Sequence, residues 1–249
     1  MFVLRTADWQ VRQMFTIKLS LFGDSILKGV VTDKNRRYRL IKQENEFALD
    51  DDLTVTLVNQ SRFGSTVTKG EQTLKRFLDK GTDSRVMLLE YGGNDCDYNW
   101  REVAKDPYRE HQPNTPLNQF VATYERIISL LRSKQIRPVL MNLPPIDAVR
   151  YFNTIVSHGC DADNVMAWLG DVQMIYRYQE LYSDTVERIS RQNDTLLVDV
   201  RSSFLRRHDL PDLLSEDGIH PSEAGHRLMR DVTRDYMQRN RKMLLEACT

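Results

Sequence analysis

The sequence predicts an α/β fold built on a parallel sheet. Two patterns point to it. Short apolar, β-branched or Leu-rich runs alternate with segments of helical periodicity, as βαβ units do. The 249 residues also contain no internal repeat, no low-complexity tract and no Pro/Gly/Ser linker, so one domain spanning 1–249 is expected.

The strands come first. Residues 17–22 (IKLSLF), 53–58 (LTVTLV), 86–90 (VMLLE), 138–142 (PVLMN) and 195–200 (TLLVDV) read as five strands. Most are continuous apolar runs, the mark of strands covered on both faces. Between them, Phe120, Val121, Tyr124, Ile127, Ile128 and Leu131 recur at helical spacing, as do Val172, Ile175, Tyr176, Tyr182, Val186 and Ile189. A last helix carries Leu228, Met229, Val232 and Tyr236 on one side and many arginines on the other. Each stripe is expected to face the core. Two stretches, 97–118 and 143–170, read as long loops of the kind that form lids or pocket walls.

Composition narrows the function classes. Lys and Arg number 35 and Asp and Glu 35, so no global electrostatic footprint for nucleic acid is present. No apolar run approaches the roughly 20 residues that span a bilayer, and no membrane association is expected. Cys96, Cys160 and Cys248 are far apart and odd in number, which suggests reduced thiols in the cytoplasm. The basic run 34–42 is answered by Glu44, Glu46 and Asp50 to Asp52, and is expected to be a solvated, internally paired surface. Met14 followed by FTIKLSLFGDS would itself be an ordinary start, so residues 1–13 are a possible extension expected to add nothing to catalysis.

Four loop motifs carry chemistry. Gly23-Asp24-Ser25 ends the first strand and precedes a predicted helix. Such a turn exposes the hydroxyl beside free backbone N–H groups that can stabilise an oxyanion, although a capping serine fits the same motif. Asp217-Gly218-Ile219-His220-Pro221 places a carboxylate and an imidazole on one short loop, the pair a serine needs to lose its proton at neutral pH. Its alternative is a turn with a surface histidine. Gly92-Gly93-Asn94-Asp95 follows the third strand, where Asn94 offers a neutral donor and the glycines a close backbone approach. Gly64 follows the second strand and could present its N–H to the same oxyanion. All four lie after strand C-terminal ends, where ligands bind in parallel sheets.

In this order, FGDS, Gly64, GGND and DGIHPS make the chain resemble the SGNH (GDSL-type) serine hydrolases, whose four blocks centre on Ser, Gly, Asn and His. The resemblance covers nearly the whole chain. It implies a flavodoxin-like three-layer α/β/α sandwich with a five-stranded parallel sheet, and a hydrolase needing no cofactor. It also implies Ser25 as nucleophile, His220 as base and Asp217 as its orienting group. The N–H groups of Ser25 and Gly64 and the side chain of Asn94 would form the oxyanion hole. No metal motif or Gly-rich phosphate loop appears, so no metal is expected.

Substrate is harder to read. Tyr98 and Trp100, amid Asp97, Asn99, Arg101 and Glu102, suit sugar rings, or else pack their loop onto the domain. Members resembling this chain include carbohydrate acetylesterases, so the expected substrate is a small acyl group on a glycan or other polar alcohol. The alternatives are a thioesterase or lysophospholipase acting on longer chains, an acyltransferase, or a binding protein that keeps the fold. Asp24 and Asp95 are expected to fix their loops, His226 to lie on the surface, and His111 and His158 to sit in the long loops. The sequence leaves the oligomeric state open.

Overall fold

The computed structural model describes residues 15–35 and 37–246. The possible extension 1–13 and Cys248 lie outside them. The strands are β1 (Phe15–Gly23), β2 (Val30–Thr32), β3 (Tyr38–Leu40), β4 (Glu46–Ala48), β5 (Leu53–Asn59), β6 (Val86–Glu90), β7 (Arg137–Met141) and β8 (Leu196–Val198). The helices are α1 (Ser25–Lys28), α2 (Val67–Asp79), α3 (Trp100–Lys105), α4 (Leu117–Ser133), α5 (Ala148–Ser157), α6 (Ala162–Leu169), α7 (Met174–Gln192), α8 (Arg201–Leu205), α9 (Glu223–Arg239) and α10 (Arg241–Glu246).

The main sheet has the order β4-β5-β1-β6-β7-β8. The five predicted strands form its parallel part. Each alternates between two buried faces. Met87, Leu89 and Leu140 join Phe120, Tyr124 and Val186 on one side, while Val86, Leu88, Val139 and Met141 join Met229 and Phe204 on the other. That is why these strands read as unbroken apolar runs.

The expected five strands become six, because β4 adds an antiparallel edge on β5. Its three residues, Glu-Phe-Ala, are too short and too polar to show a period. A separate hairpin, β2 with β3, follows α1. The segment 143–170 is not a loop, since α5 and α6 occupy most of it. Asp147 and Asp161 cap these helices through backbone N–H groups, and their aromatic residues pack a third core with Tyr98 and Trp100. The acidic residues near the basic run are paired differently from expectation. Arg241 of α10 holds Asp50 and Asp52, and Arg234 of α9 faces Glu44.

The chain leaves β1 toward β5 on one side and reaches β6 on the other. Adjacent connections therefore diverge at the C-terminal ends of β1 and β6, where a crevice opens. Among the described residues no helix is long and apolar enough to cross a membrane.

Candidate active site

Ser25 sits at the start of α1, on the turn that leaves β1. Asp24 shapes this turn: its Oδ1 accepts the N–H of Ile26 at 2.8 Å, and Gly29 closes the single helical turn with φ of 81°. The predicted helix after Gly-Asp-Ser is therefore only four residues long. Ser25 is not the capping residue, because Asp24 takes that part, which leaves its hydroxyl to other partners.

That hydroxyl meets His220. The Nε2–Oγ distance is 2.9 Å, across 195 residues of sequence. His220 Nδ1 lies 2.6 Å from Asp217 Oδ2. An ionised Asp217 only accepts, so Nδ1 carries the proton and Nε2 turns its lone pair to Ser25. All three side chains are buried; Ser25 and His220 border one cavity of about 440 Å³ together with Asn94, and Asp217 lies behind His220.

Asp217 is held by four donors. Oδ1 accepts the backbone N–H groups of Ile219 and His220, both at 3.1 Å, while Oδ2 accepts His220 Nδ1 and the hydroxyl of Thr32 at 2.5 Å. Burial alone would raise the Asp217 pKa, but the contacts with His220 and Thr32 outweigh it and leave the pKa lowered. Thr32 comes from β2, on a segment with no motif, and sequence reasoning missed it. Only the fold brings it to Asp217, 185 positions away.

The loop carrying Asp217 and His220 is pinned along its length. The Gly218 carbonyl accepts from Asp147 at 2.8 Å, the His220 carbonyl accepts from Ser215 at 2.8 Å, and Leu214 bridges to Pro221. Gly218 has φ of +79°, and a Cβ there would stand 2.7 Å from the Asp147 carbonyl, so the position takes glycine. Ser222 then caps α9 through the N–H of Gly225 at 3.2 Å.

Asn94 lies across from this loop, after β6. Its Nδ2 donates to Asp24 Oδ2 at 2.7 Å, and its carbonyl accepts from Asn114 at 3.0 Å. An amide nitrogen carries two hydrogens, so one bond to Asp24 leaves a second N–H for the cavity. The Gly64 loop is tied to the same edge, because Arg62 N–H donates to the Gly23 carbonyl at 3.0 Å. Gly64 itself takes a left-handed φ of 64°. Phe63 borders the cavity, and Gly64 is not among the residues that line it.

Other predicted residues fall as follows. Asp95 accepts the N–H of Val67 at the head of α2, with its pKa pushed up to about 7 chiefly by burial. His226 is not on the surface. It is buried in α9, its Nε2 donates to the Val30 carbonyl at 3.0 Å, and burial lowers its pKa to about 4. This bond fastens α9 to the β2 segment that supplies Thr32. His158 borders the cavity, and His111 lies against Trp168 with its Nε2 2.8 Å from the Asp106 carbonyl.

Tyr98 and Trp100 also border the cavity, but mostly as packed residues, 8% and 9% exposed. They belong to an aromatic cluster with Tyr151, Trp168 and Tyr178. Beneath them Asp97 accepts from Trp100 Nε1 at 2.7 Å and Tyr151 at 2.8 Å. The exposed aromatics at the cavity are Tyr38 and Phe63, at 49% and 54%. Their ring centroids lie 5.5 and 6.2 Å from that of His220. Neither was singled out in the sequence, because both become neighbours of His220 only through the hairpin and the β5 loop.

Known proteins fit this picture. The family model described as GDSL-like lipase/acylhydrolase matches residues 21–228. No curated protein gives a significant match. Among solved structures, the lipase/acylhydrolase from Enterococcus faecalis has a TM-score of 0.59 at 14% identity, over 90% of this chain and 96% of that one. A catalytic mutant of an acetylxylan esterase from Geobacillus stearothermophilus has 0.59 at 17%, over 91% and 96%. A GDSL-like lipase from Bacteroides thetaiotaomicron has 0.56 at 11%, over 89% and 88%. At these identities the likeness establishes the fold.

Proposed function

This chain belongs to the GDSL-like lipase/acylhydrolase family of carboxylic ester hydrolases, and we propose that it works, as a single domain, through an acyl-enzyme on Ser25. The observation that carries this reading is the chain of hydrogen bonds that starts at Ser25 on the cavity and runs through His220 to Asp217. Ser25 Oγ attacks the ester carbonyl while His220 Nε2 takes its proton. The resulting imidazolium is stabilised by the Asp217 carboxylate. His220 then passes the proton to the leaving alcohol, and water repeats the cycle in reverse order to free the acid. The second N–H of Asn94 and the backbone N–H of Ser25 receive the oxyanion, each worth roughly 2.7–4 kcal/mol in comparable sites; Gly64, the third donor the family resemblance implies, does not line the cavity.

For the substrate we infer a small acyl group on a polar alcohol such as a glycan. Asn99 and Arg101 at the cavity edge, with the exposed faces of Tyr38 and Phe63, support a polar, ring-bearing partner. A second reading, a longer acyl chain, is favoured by one observation. Leu143, Ile155 and Ile175, all buried, form an apolar wall of the same cavity. The buried free thiols Cys96 and Cys160 support a reducing, cytoplasmic setting.

A fluorophosphonate probe tests the nucleophile: labelling of wild type and none of Ser25→Ala is expected. A chain-length series of chromogenic esters, followed by acetylated oligosaccharides, tests the substrate. An optimum at long chains without acetyl release from sugars overturns the first substrate reading in favour of the second. Equal labelling of Ser25→Ala overturns the mechanism.

A further inference from the structure

Glu90 ends β6 with a carboxyl group wholly removed from solvent. It stands in register with Gly23, the last residue of β1, and its Oε2 lies 3.1 Å from where a Gly23 Cβ would be. Neither oxygen meets a hydrogen-bond donor. Its near polar neighbour is instead the equally buried carboxyl of Asp24. Two buried carboxylates in contact cannot both be ionised, and a shared proton satisfies both. The surroundings decide which keeps it. Asp24 already receives well-formed N–H bonds from Ile26 and Asn94, which favour its charge, whereas Glu90 has only the approach of the Asp24 backbone N–H, outside regular hydrogen-bond geometry. Burial and the neighbouring charges of Asp24 and Asp95 likewise push the Glu90 pKa well up.

Other ionisable groups surround this pair. Tyr91 follows Glu90 just past the strand, Tyr124 reaches in from α4, Asp95 comes from the loop after β6 and His220 from the loop before α9, while Arg62, from the loop after β5, faces Tyr91. His220 and Arg62 are the groups of this set able to carry positive charge; His220 acts on Asp24 and Arg62 on Tyr91, and neither is a hydrogen-bond partner of Glu90.

We propose that Glu90 is a positioning residue for ester hydrolysis: a neutral carboxylic acid that donates to Asp24 and so keeps Asn94 aimed at the oxyanion. The inference rests on the ester-hydrolase reading of the site. Asp24 Oδ2 fixes one N–H of Asn94 and thereby the direction of the other. The Glu90 proton fixes Asp24 in turn, and it holds the Glu90–Asp24 pair to a single negative charge. An ionised Glu90 would set a second negative charge against the developing oxyanion.

The test compares Glu90→Gln, which keeps a neutral donor, with Glu90→Met, which fills the space without one. Steady-state kinetics use a chromogenic acetate ester, and the rate of fluorophosphonate labelling of Ser25 is measured alongside. Glu90→Gln is expected to keep kcat and labelling within about threefold of wild type. Glu90→Met is expected to lose kcat and labelling about tenfold to a hundredfold, with KM little changed, by misaiming one oxyanion donor. Infrared spectra at neutral pH are expected to show the carbonyl stretch of a protonated carboxylic acid in wild type that disappears in Glu90→Gln. Equal rates for folded Gln and Met variants overturn the proposal, and so does absence of that band, which decides the matter even if Glu90→Met does not fold. Labelled Ser25 with no turnover of any ester counts against the hydrolase reading instead, and the labelling rates and infrared band still judge Glu90.

Discussion

Asp217→Asn changes one atom and, on the proposed mechanism, stops the enzyme through the histidine's tautomer. The four donors around Asp217 decide how the new amide sits. If its nitrogen took the Oδ1 position it would face the N–H groups of Ile219 and His220, donor against donor, in a buried site. At the Oδ2 position it meets the Thr32 hydroxyl, which can rotate to accept, and His220 Nδ1. The amide is therefore forced to donate to Nδ1. The His220 proton must move to Nε2, where it points at Ser25 and blocks proton abstraction. Loss of the right tautomer costs on the order of 10⁴ in kcat, roughly 5.5 kcal/mol of transition-state stabilisation. Asp217→Ala leaves either tautomer open, so the closer isostere is expected to be no more active than the truncation. Steady-state kinetics on a chromogenic ester, with circular dichroism to verify folding, measure this. A folded Asp217→Asn that keeps more than about a tenth of wild-type kcat/KM would refute the reasoning, since one tenth is only about 1.4 kcal/mol.

Three further outcomes are expected. Thr32→Val removes one hydrogen bond to the Asp217 carboxylate without opening a cavity. The folded pKa of Asp217 is lowered, so this stability is present above the unfolded value near 3.9 and lost as pH falls through the folded one. Urea unfolding at pH 7 should show a loss of about 1.5–3 kcal/mol that closes in strong acid. His226 has its pKa depressed to about 4, so it stabilises the fold as a neutral group and this contribution fades as pH drops from about 6.5 to about 4. His226→Gln keeps the donor to Val30, and its unfolding free energy should fall less steeply across that window than wild type; equal slopes would exclude the assignment. In the cavity, Phe63→Ala should change the preference among alcohol portions with the acyl group held constant, and Ile155→Trp should shorten the preferred acyl chain. A matrix of esters varying each half separately reads both, and the opposite pattern would reverse the two sides of the cavity.

The parallel strands were legible because burial on both faces writes them as continuous apolar runs. The loop motifs were legible because the chemistry needs certain residue types right after certain strands, as with Ser25, Asn94, Asp217 and His220. What escaped was set by distance. Thr32 and Asp217 are 185 residues apart, and nothing local in Val-Val-Thr announces a carboxylate partner. Glu90 did carry a local signal, a charged residue closing the apolar run Val-Met-Leu-Leu. His226 was misplaced because its position past His220 was judged without the neighbour that buries it, the Val30 carbonyl on a hairpin 196 residues earlier. The helices α5 and α6 were hidden because their apolar positions are aromatics interspersed with Asp and Asn, which read as loop until the caps at Asp147 and Asp161 are recognised.

Substrate preference was illegible for the same reason, and the proposed mechanism assigns each wall of the cavity a side of the bond. The leaving oxygen must lie near His220 Nε2, because that nitrogen returns the proton to it. The rings that flank His220, Tyr38 and Phe63, are therefore proposed to meet the alcohol portion, and their exposure leaves room for a large polar group. With the carbonyl oxygen toward Asn94 and the leaving oxygen toward His220, the acyl portion is proposed to take the remaining side of the cavity, which Tyr98, Trp100, Ile155 and Ile175 close. Tyr98 and Trp100 drew attention as sugar-binding candidates because they follow Asn94 in sequence. On the proposed mechanism they stand on the acyl side, and Tyr38 and Phe63, from unrelated segments, are the proposed alcohol-side aromatics. An enclosed wall limits acyl length while an open rim tolerates varied alcohols. On this geometry the enzyme discriminates among acids more strictly than among alcohols.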